Sequence, residues 1–271
     1  MGIFIGQKRL REKLNNYTLA TLPKSILLIG EKGCGKTWLA MDLANRLDLP
    51  YLIIDSQVTE DKLIDYQQAP TPTLYIIELE EFDLKQQNQF LKFVEEPSST
   101  VYIILTARSD NLVLPTILSR CIRFAFDPYS VEELKQFDWM NNISDDRIYN
   151  ICKTPGQIQK LDTKNFGDLY KLCEQINKQI NKASYANTIS LSLKVNYKED
   201  YDKFDFDLFF DTLEYVSSED YKNTFVKQSL NIYNLVNQYK KKLLYKTVAK
   251  ENIMLSFLTD LWRLTHECPT T

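Results

Sequence analysis

Seven glycines serve the whole chain, and three of them, Gly30, Gly33 and Gly35, fall within six residues. So uneven a use puts glycine where the backbone must approach something closely or take a positive φ. The segment reads Gly30-Glu31-Lys32-Gly33-Cys34-Gly35-Lys36-Thr37, which satisfies G-x-x-x-x-G-K-[ST] at every fixed position. Residues of these types at this spacing bind polyphosphate. The glycines let backbone N–H groups wrap an anion, and a helix opening near Lys36 adds its positive end. Lys36 then reaches the β- and γ-phosphates of ATP or ADP, and the Thr37 hydroxyl ligates Mg²⁺. Cys34 reads as a small filler at a tolerant position of the loop.

Such a site needs an acid at the end of a neighbouring strand to hold the magnesium shell. The stretch Thr73 to Ile77 runs into Glu78-Leu79-Glu80-Glu81. Glu78 is the candidate, for both metal and catalysis, whereas Glu80 and Glu81 read as a solvated strand end or first helical turn. The usual Asp-Glu pair is missing, so the sequence supports nucleotide binding more firmly than hydrolysis, which needs a positioned base.

The elements around these residues alternate. Residues 7–16 read as a helix, Ser25–Ile29 as a strand, 37–47 as a helix, Tyr51–Ile54 and Thr73–Ile77 as strands, and 84–94 as a helix. Val101–Leu105 and Ile122–Phe126 complete the strands. Strands that are apolar throughout, separated by helical stretches, predict a parallel sheet covered on both faces. After Pro128 the pattern turns helical. Ser130-Val-Glu-Glu133 is a capping-box signature, with breaks near 141–144 and at Thr154-Pro-Gly156. Residues 181–207 are polar, with a possible short strand at 189–195. Beyond them Val226, Leu230, Tyr233 and Val236 predict one buried stripe, and Leu244, Val248, Leu255, Leu258 and Trp262 another. Lys240-Lys-Lys242 reads as a solvated helical turn.

The segments Leu91-Lys-Phe-Val-Glu-Glu-Pro97 and Ser119-Arg-Cys121 resemble the clamp-loader branch of the AAA+ ATPases, which includes the bacterial gamma/tau and delta-prime subunits of DNA polymerase III. Ile5-Gly-Gln7 resembles the motif preceding that family's first helix, where the adenine pocket begins. The resemblance spans about residues 3–162. It implies an α/β fold: a P-loop AAA+ parallel-sheet domain at 1–127, a small helical lid domain at 128–180 and a C-terminal helical, collar-like oligomerisation domain at 181–271. It further implies that Arg120 acts as an arginine finger in trans, on the neighbouring subunit's ATP. Thr106 and Arg108 then stand in the segment that senses nucleotide. The implied partners are other clamp-loader subunits in a hetero-oligomer, a sliding clamp, and primed DNA reached through the assembly. The chain departs from the family in three ways: it lacks the cysteine zinc module, the Asp-Glu pair, and the arginine expected where Thr154-Pro-Gly-Gln157 stands. A non-hydrolysing stator subunit is therefore an alternative. A P-loop kinase for a small molecule accounts for residues 30–37 but leaves Ser119-Arg-Cys121 unexplained.

Composition bounds these readings. The 271 residues carry a formal net charge of −3, so DNA contact is expected through partners or a local patch rather than an overall basic surface. Five cysteines without a C-x-x-C pair predict an intracellular, cytoplasmic chain with free thiols. His266 is the only histidine, which excludes a histidine-based metal centre. No apolar run approaches the roughly 20 residues of a membrane span, and the first residues lack the pattern of a secretory signal.

Overall fold

The computed structural model describes residues 5–137, 143, 145–161, 163–179, 205–244 and 249–266. It divides into two compact units: residues 1–140 with 153–159, and residues 141–152 with 160–271.

The first unit is built on a five-stranded sheet of order β2-β3-β4-β1-β5. Its strands are β1 (Ser25–Ile29), β2 (Tyr51–Ile54), β3 (Thr73–Glu78), β4 (Val101–Ala107) and β5 (Ile122–Ala125). Every neighbouring pair is parallel. Successive side chains of a strand point to opposite faces, and the apolar strands accordingly feed two cores. Leu27, Ile77, Ile103 and Leu105 belong to one, which also holds Phe90, Phe93 and Ile117. Ile26, Leu28, Ile76 and Ile104 belong to the other, with Leu10, Leu39 and Leu43. Those leucines come from α1 (Lys8–Asn15) and α2 (Lys36–Arg46).

Several elements differ from the sequence expectation. A helix over Glu60–Gln67, α3, was not foreseen; Thr59 caps it by accepting from the Lys62 N–H. The helix expected over 84–94 is a 3-10 turn at Gln86–Phe90 followed by a short α4, Leu91–Glu95. Side chains explain the tightening. The Asn88 amide bonds the Leu84 and Lys85 carbonyls, and the buried Gln87 amide is tied to Leu112 O and Leu114 N. Both compete with regular helical bonding. After β4, α5 (Pro115–Leu118) leads into β5, and Ser130 and Glu133 form the expected reciprocal capping box on α6 (Val131–Lys135). Thr154-Pro-Gly156 does not simply interrupt a helix; it starts one. Pro155 opens the helix Pro155–Lys160, and the Gln157 carboxamide accepts from the Lys153 and Thr154 N–H groups.

The Pro155 helix, α8, belongs to the first unit up to residue 159. The second unit is helical, with a short α7 (Ile148–Ile151), α9 (Thr163–Gln179), α10 (Phe206–Thr224), α11 (Lys227–Leu243) and α12 (Lys250–His266). Phe209, Phe210, Tyr239 and Phe257 meet at its centre, with Phe210 and Phe257 edge to face at 4.9 Å. Of the expected stripe residues Val236 and Leu258 are buried, whereas Leu230, Tyr233, Leu244 and Trp262 are only partly so. In α11 the buried residues are Ser229, Ile232, Leu235, Val236 and Tyr239, while Val226 is the exposed N-cap residue. Leu255 is exposed, and Met254, Phe257, Leu258 and Leu261 form the buried face of α12. Lys240 is not a solvated residue: its Nζ sits 2.5 Å from both Asp211 and Glu214. The possible strand at 189–195, and Val248, lie outside the described residues. Among the described residues no helix is long and apolar enough to cross a membrane.

Candidate nucleotide-binding site

The glycine-rich loop leaves the carboxyl end of β1 and enters α2, as the motif requires. Its carbonyl groups are all occupied. Gly30 O and Glu31 O accept from Lys36 Nζ at 2.7 and 3.2 Å. Lys32 O accepts from the Thr154 hydroxyl at 2.9 Å, and Gly33 O from the Gly156 N–H at 2.9 Å. Cys34 O accepts from the Tyr129 hydroxyl at 2.9 Å, and Gly35 O from the Leu39 N–H at 2.9 Å. The N–H side is the reverse: among the described residues, no acceptor is committed to the N–H groups of Lys32, Gly33 or Gly35. Gly33 and Gly35 have φ of 82° and 97°, conformations that suit glycine. Gly35 is the N-cap of α2 and provides no side chain to its first turn. A backbone concavity with free N–H groups at a helix N-terminus favours an anion. Gly30 is required on other grounds, because a Cβ there would stand 2.8 Å from Phe126 Cβ and 2.9 Å from Cys34 Sγ.

The acids lie beside the loop. Glu78 ends β3 and accepts a 2.5 Å hydrogen bond from the Thr37 hydroxyl. A hydroxyl and a carboxylate so close are the hard oxygen donors that Mg²⁺ takes together with phosphate oxygens and water, so the residues fit that ion. Glu80 is not solvated as the sequence suggested. Its carboxylate lies 3.5 Å from Lys36 Nζ and 3.1 Å from Arg108 Nε, while Glu81 is exposed. Leu79, at the position where a second acid is absent, is buried at 1% exposure. Thr106 is buried on β4 in register with Glu78. The structure thus brings Lys36, Thr37, Glu78, Glu80 and Arg108 together, with Thr106 alongside. Cys34 is buried, and burial pushes its thiol up to about 11, consistent with a filler and not a nucleophile.

Arg120 lies elsewhere. Ile122 pairs with Ile26 and Ala125 with Ile29, so Arg120 precedes the amino end of β5 while the glycine loop follows the carboxyl end of β1. The four residues of β5 separate those levels, about 13 Å at roughly 3.3 Å per residue, and Arg120 lies in the turn before them. Its side chain is 32% exposed, with the guanidinium 2.7 Å from Glu95 and donating to Thr116 O at 2.8 Å.

Sequence reasoning missed Tyr129, Gly156 and Glu95. Tyr129 carried no signal, and Glu95 lay unassigned within the Leu91–Pro97 segment. Gly156 did, as one of the few glycines in a chain that spares them. Gln7 is buried and its amide exchanges two hydrogen bonds with the Asp127 backbone, fixing the segment before α1. Gly6, with φ 79°, leaves the room that the Tyr129 ring fills.

Residues 64–130 match the family described as DNA polymerase III, delta subunit, and residues 25–68 match the AAA domain of the dynein-related subfamily. Replication factor C small subunits of two methanogens are similar in sequence. That of Methanococcus maripaludis is 26% identical over 184 residues, covering 62% of this chain and 57% of the relative. That of Methanococcus vannielii is 25% identical over 167 residues, covering 55% and 52%. The chain thus spans little more than half the length of these relatives. Among solved structures, the RuvB Holliday junction branch migration motor of Thermotoga maritima shares the fold, with a TM-score of 0.50 at 18% identity over 76% of this chain and 87% of that one.

Proposed function

We propose that this chain, an AAA+ subunit of clamp-loader type, binds ATP or ADP with Mg²⁺ and works in a cytoplasmic hetero-oligomer that loads a sliding clamp onto primed DNA. Gly30 to Thr37 hold the phosphates, and Thr37 and Glu78 hold the metal. Thr106 and Arg108 report the state of the γ-phosphate end, Arg108 through Glu80. The lid at 128–180 and the collar at 181–271 complete the subunit, the collar joining it to its neighbours. The single observation that carries the nucleotide reading is the loop's asymmetry: every carbonyl from Gly30 to Gly35 is engaged by the protein, while N–H groups are left for an anion.

Arg120 supplies its guanidinium to the next subunit's ATP, where a charge delivered in trans neutralises the phosphoryl oxygens as they develop charge. Its place in the turn before β5, at the end of the sheet opposite its own loop, supports service to another molecule over service to its own. Co-expression with the other loader subunits of its source tests both points: an assembly whose stability responds to ATP is expected, with ATPase activity that falls on Arg120→Ala. Unchanged activity in the assembled Arg120→Ala complex overturns the trans role.

A second reading, a stator that binds nucleotide without hydrolysing it, has its own support. Leu79 is buried where an acid would orient water, and Glu80 is engaged with Lys36 and Arg108. Site-resolved hydrolysis separates the two readings. In a stator, Lys36→Ala leaves the assembly's turnover intact while Arg120→Ala does not. Phosphate transfer to a nucleoside or nucleotide panel would instead revive a kinase.

A further inference from the structure

Two of the chain's seven glycines meet across the phosphate loop. The Gly156 N–H donates to Gly33 O at 2.9 Å. A Cβ on Gly156 would stand 2.6 Å from Gly33 Cα and 2.9 Å from Gly33 O, and one on Gly33 would stand 3.0 Å from Gly156 Cα. Both obstacles are backbone, which cannot swing aside. Two residues earlier, the buried Thr154 hydroxyl caps Lys32 O. The turn itself is rigid: Pro155 opens its helix, and the Gln157 carboxamide accepts from two N–H groups of the preceding strand of chain. Residues 153–159 belong to the same compact unit as the loop although the chain on either side belongs to the other unit.

We propose that Thr154 and Gly156 are positioning residues for nucleotide: the turn grips the phosphate loop from its carbonyl side and so holds the N–H groups of the opposite side aimed at the phosphates. The peptide unit between Lys32 and Gly33 can present its N–H inward only while its carbonyl, capped by Thr154, points outward, and an outward carbonyl needs a donor. In the next unit Gly156 holds the Gly33 carbonyl while the Cys34 N–H turns back to Glu31 O, which fixes the bend that aims the Gly33 N–H. Lys36 supplies donors to Gly30 and Glu31, but its single ammonium leaves the middle of the loop to others. No arginine stands in Thr154-Pro-Gly-Gln157, so the turn acts on the loop's backbone and not by direct charge on the nucleotide. The idea rests on the nucleotide-binding reading and adds the residues that set its affinity.

Gly156→Ala in the full-length chain is the sharpest test. Gly156 sits in a helix at a φ open to any residue, where alanine is the better helix former. Local propensity therefore argues for a gain in stability, whereas contact with Gly33 argues for a loss of binding. With N-methylanthraniloyl ADP and ATP plus Mg²⁺ as probes, Gly156→Ala is expected to weaken binding at least tenfold. Thr154→Val should weaken it several-fold, and Thr154→Ser should restore it to within twofold. Nucleotide should also slow amide exchange in the 153–159 peptide of the wild type. If the wild type binds, Lys36→Ala does not, and Gly156→Ala binds normally, the positioning role is overturned and the nucleotide reading stands. If the wild type fails to bind either probe, both fall. Should Gly156→Ala not fold, the Thr154→Val and Thr154→Ser pair decides alone: equal affinity of the two overturns the proposal.

Discussion

The two edges of the parallel sheet are built on opposite principles. At the carboxyl edge the side chains turn inward on one another: Thr37 donates to Glu78, Lys36 engages its own loop and Glu80, and Glu80 reaches Arg108. At the amino edge Arg120 stands a third exposed, held by a half-exposed Glu95. The first edge is a site prepared before any ligand arrives. The second is a charged group kept at the surface and oriented, but not enclosed. A parallel sheet explains the division. Loops after strands gather helix N-termini and their free N–H groups, and loops before strands gather helix C-terminal ends, where cations are favoured.

If that division is functional, substitutions at the two edges should have separable effects. Arg120→Ala is expected to lower ATPase of the assembled complex by about a thousandfold, the lower end of what such an arginine contributes, while the isolated chain keeps its nucleotide affinity within twofold. Lys36→Ala is expected to weaken nucleotide binding by the isolated chain by roughly a hundredfold or more, since it removes both the phosphate's cation and the donor for two loop carbonyls. Equilibrium titration of the isolated proteins and steady-state ATPase of the assemblies provide the two readouts. A loss of the isolated chain's affinity on Arg120→Ala would break the division.

Glu95 gives a finer test. Exposed ion pairs contribute about 0–1 kcal/mol, so Glu95→Gln should speed phenylglyoxal modification of Arg120 by no more than about fivefold. Assembly with the other subunits should then protect Arg120 in wild type and variant alike. Modification that is indifferent to both Glu95 and assembly would mean that this edge faces nothing.

The sheet and its loop were legible because their signals are local. Continuous apolar runs give the strands, and a spaced glycine motif between a strand and a helix gives the phosphate loop. The partners of that loop were not legible, because they are set by closure of the chain over long separations: Tyr129 lies 95 residues from Cys34, and Thr154 lies 122 from Lys32. The α11 stripe was legible at Val236 but not at Ser229, for a different reason. Ser229 is buried because its hydroxyl meets Asp220 at 2.5 Å, so a reading based on hydrophobicity passes over a residue that belongs to the buried face. Lys240 is the same lesson in charge: a run of three lysines looks solvated, yet two carboxylates of α10 claim the first of them.

The cysteines offer the smallest effect and a check on both edges in one experiment. Cys34 lies in the phosphate loop and Cys121 follows Arg120. Burial pushes the first up to about 11 and the second up to about 12. Only the thiolate reacts, so below these values each rate should rise about tenfold per pH unit. For an unfolded thiol with a value near 9.0, that rise would flatten well before it does in the folded protein, and earlier still relative to Cys121 than to Cys34. Because the folded protein holds these protons more tightly than the unfolded chain does, the thiols contribute stability that is whole below about pH 9 and declines as pH climbs toward 11 to 12. Peptide-resolved iodoacetamide labelling at pH 8 should then show slow modification at both positions. ADP with Mg²⁺ should slow Cys34 by about twofold or more by suppressing loop opening, without changing Cys121. Nucleotide that slows both equally would mean that the whole sheet tightens on binding, and that the two edges are not independent.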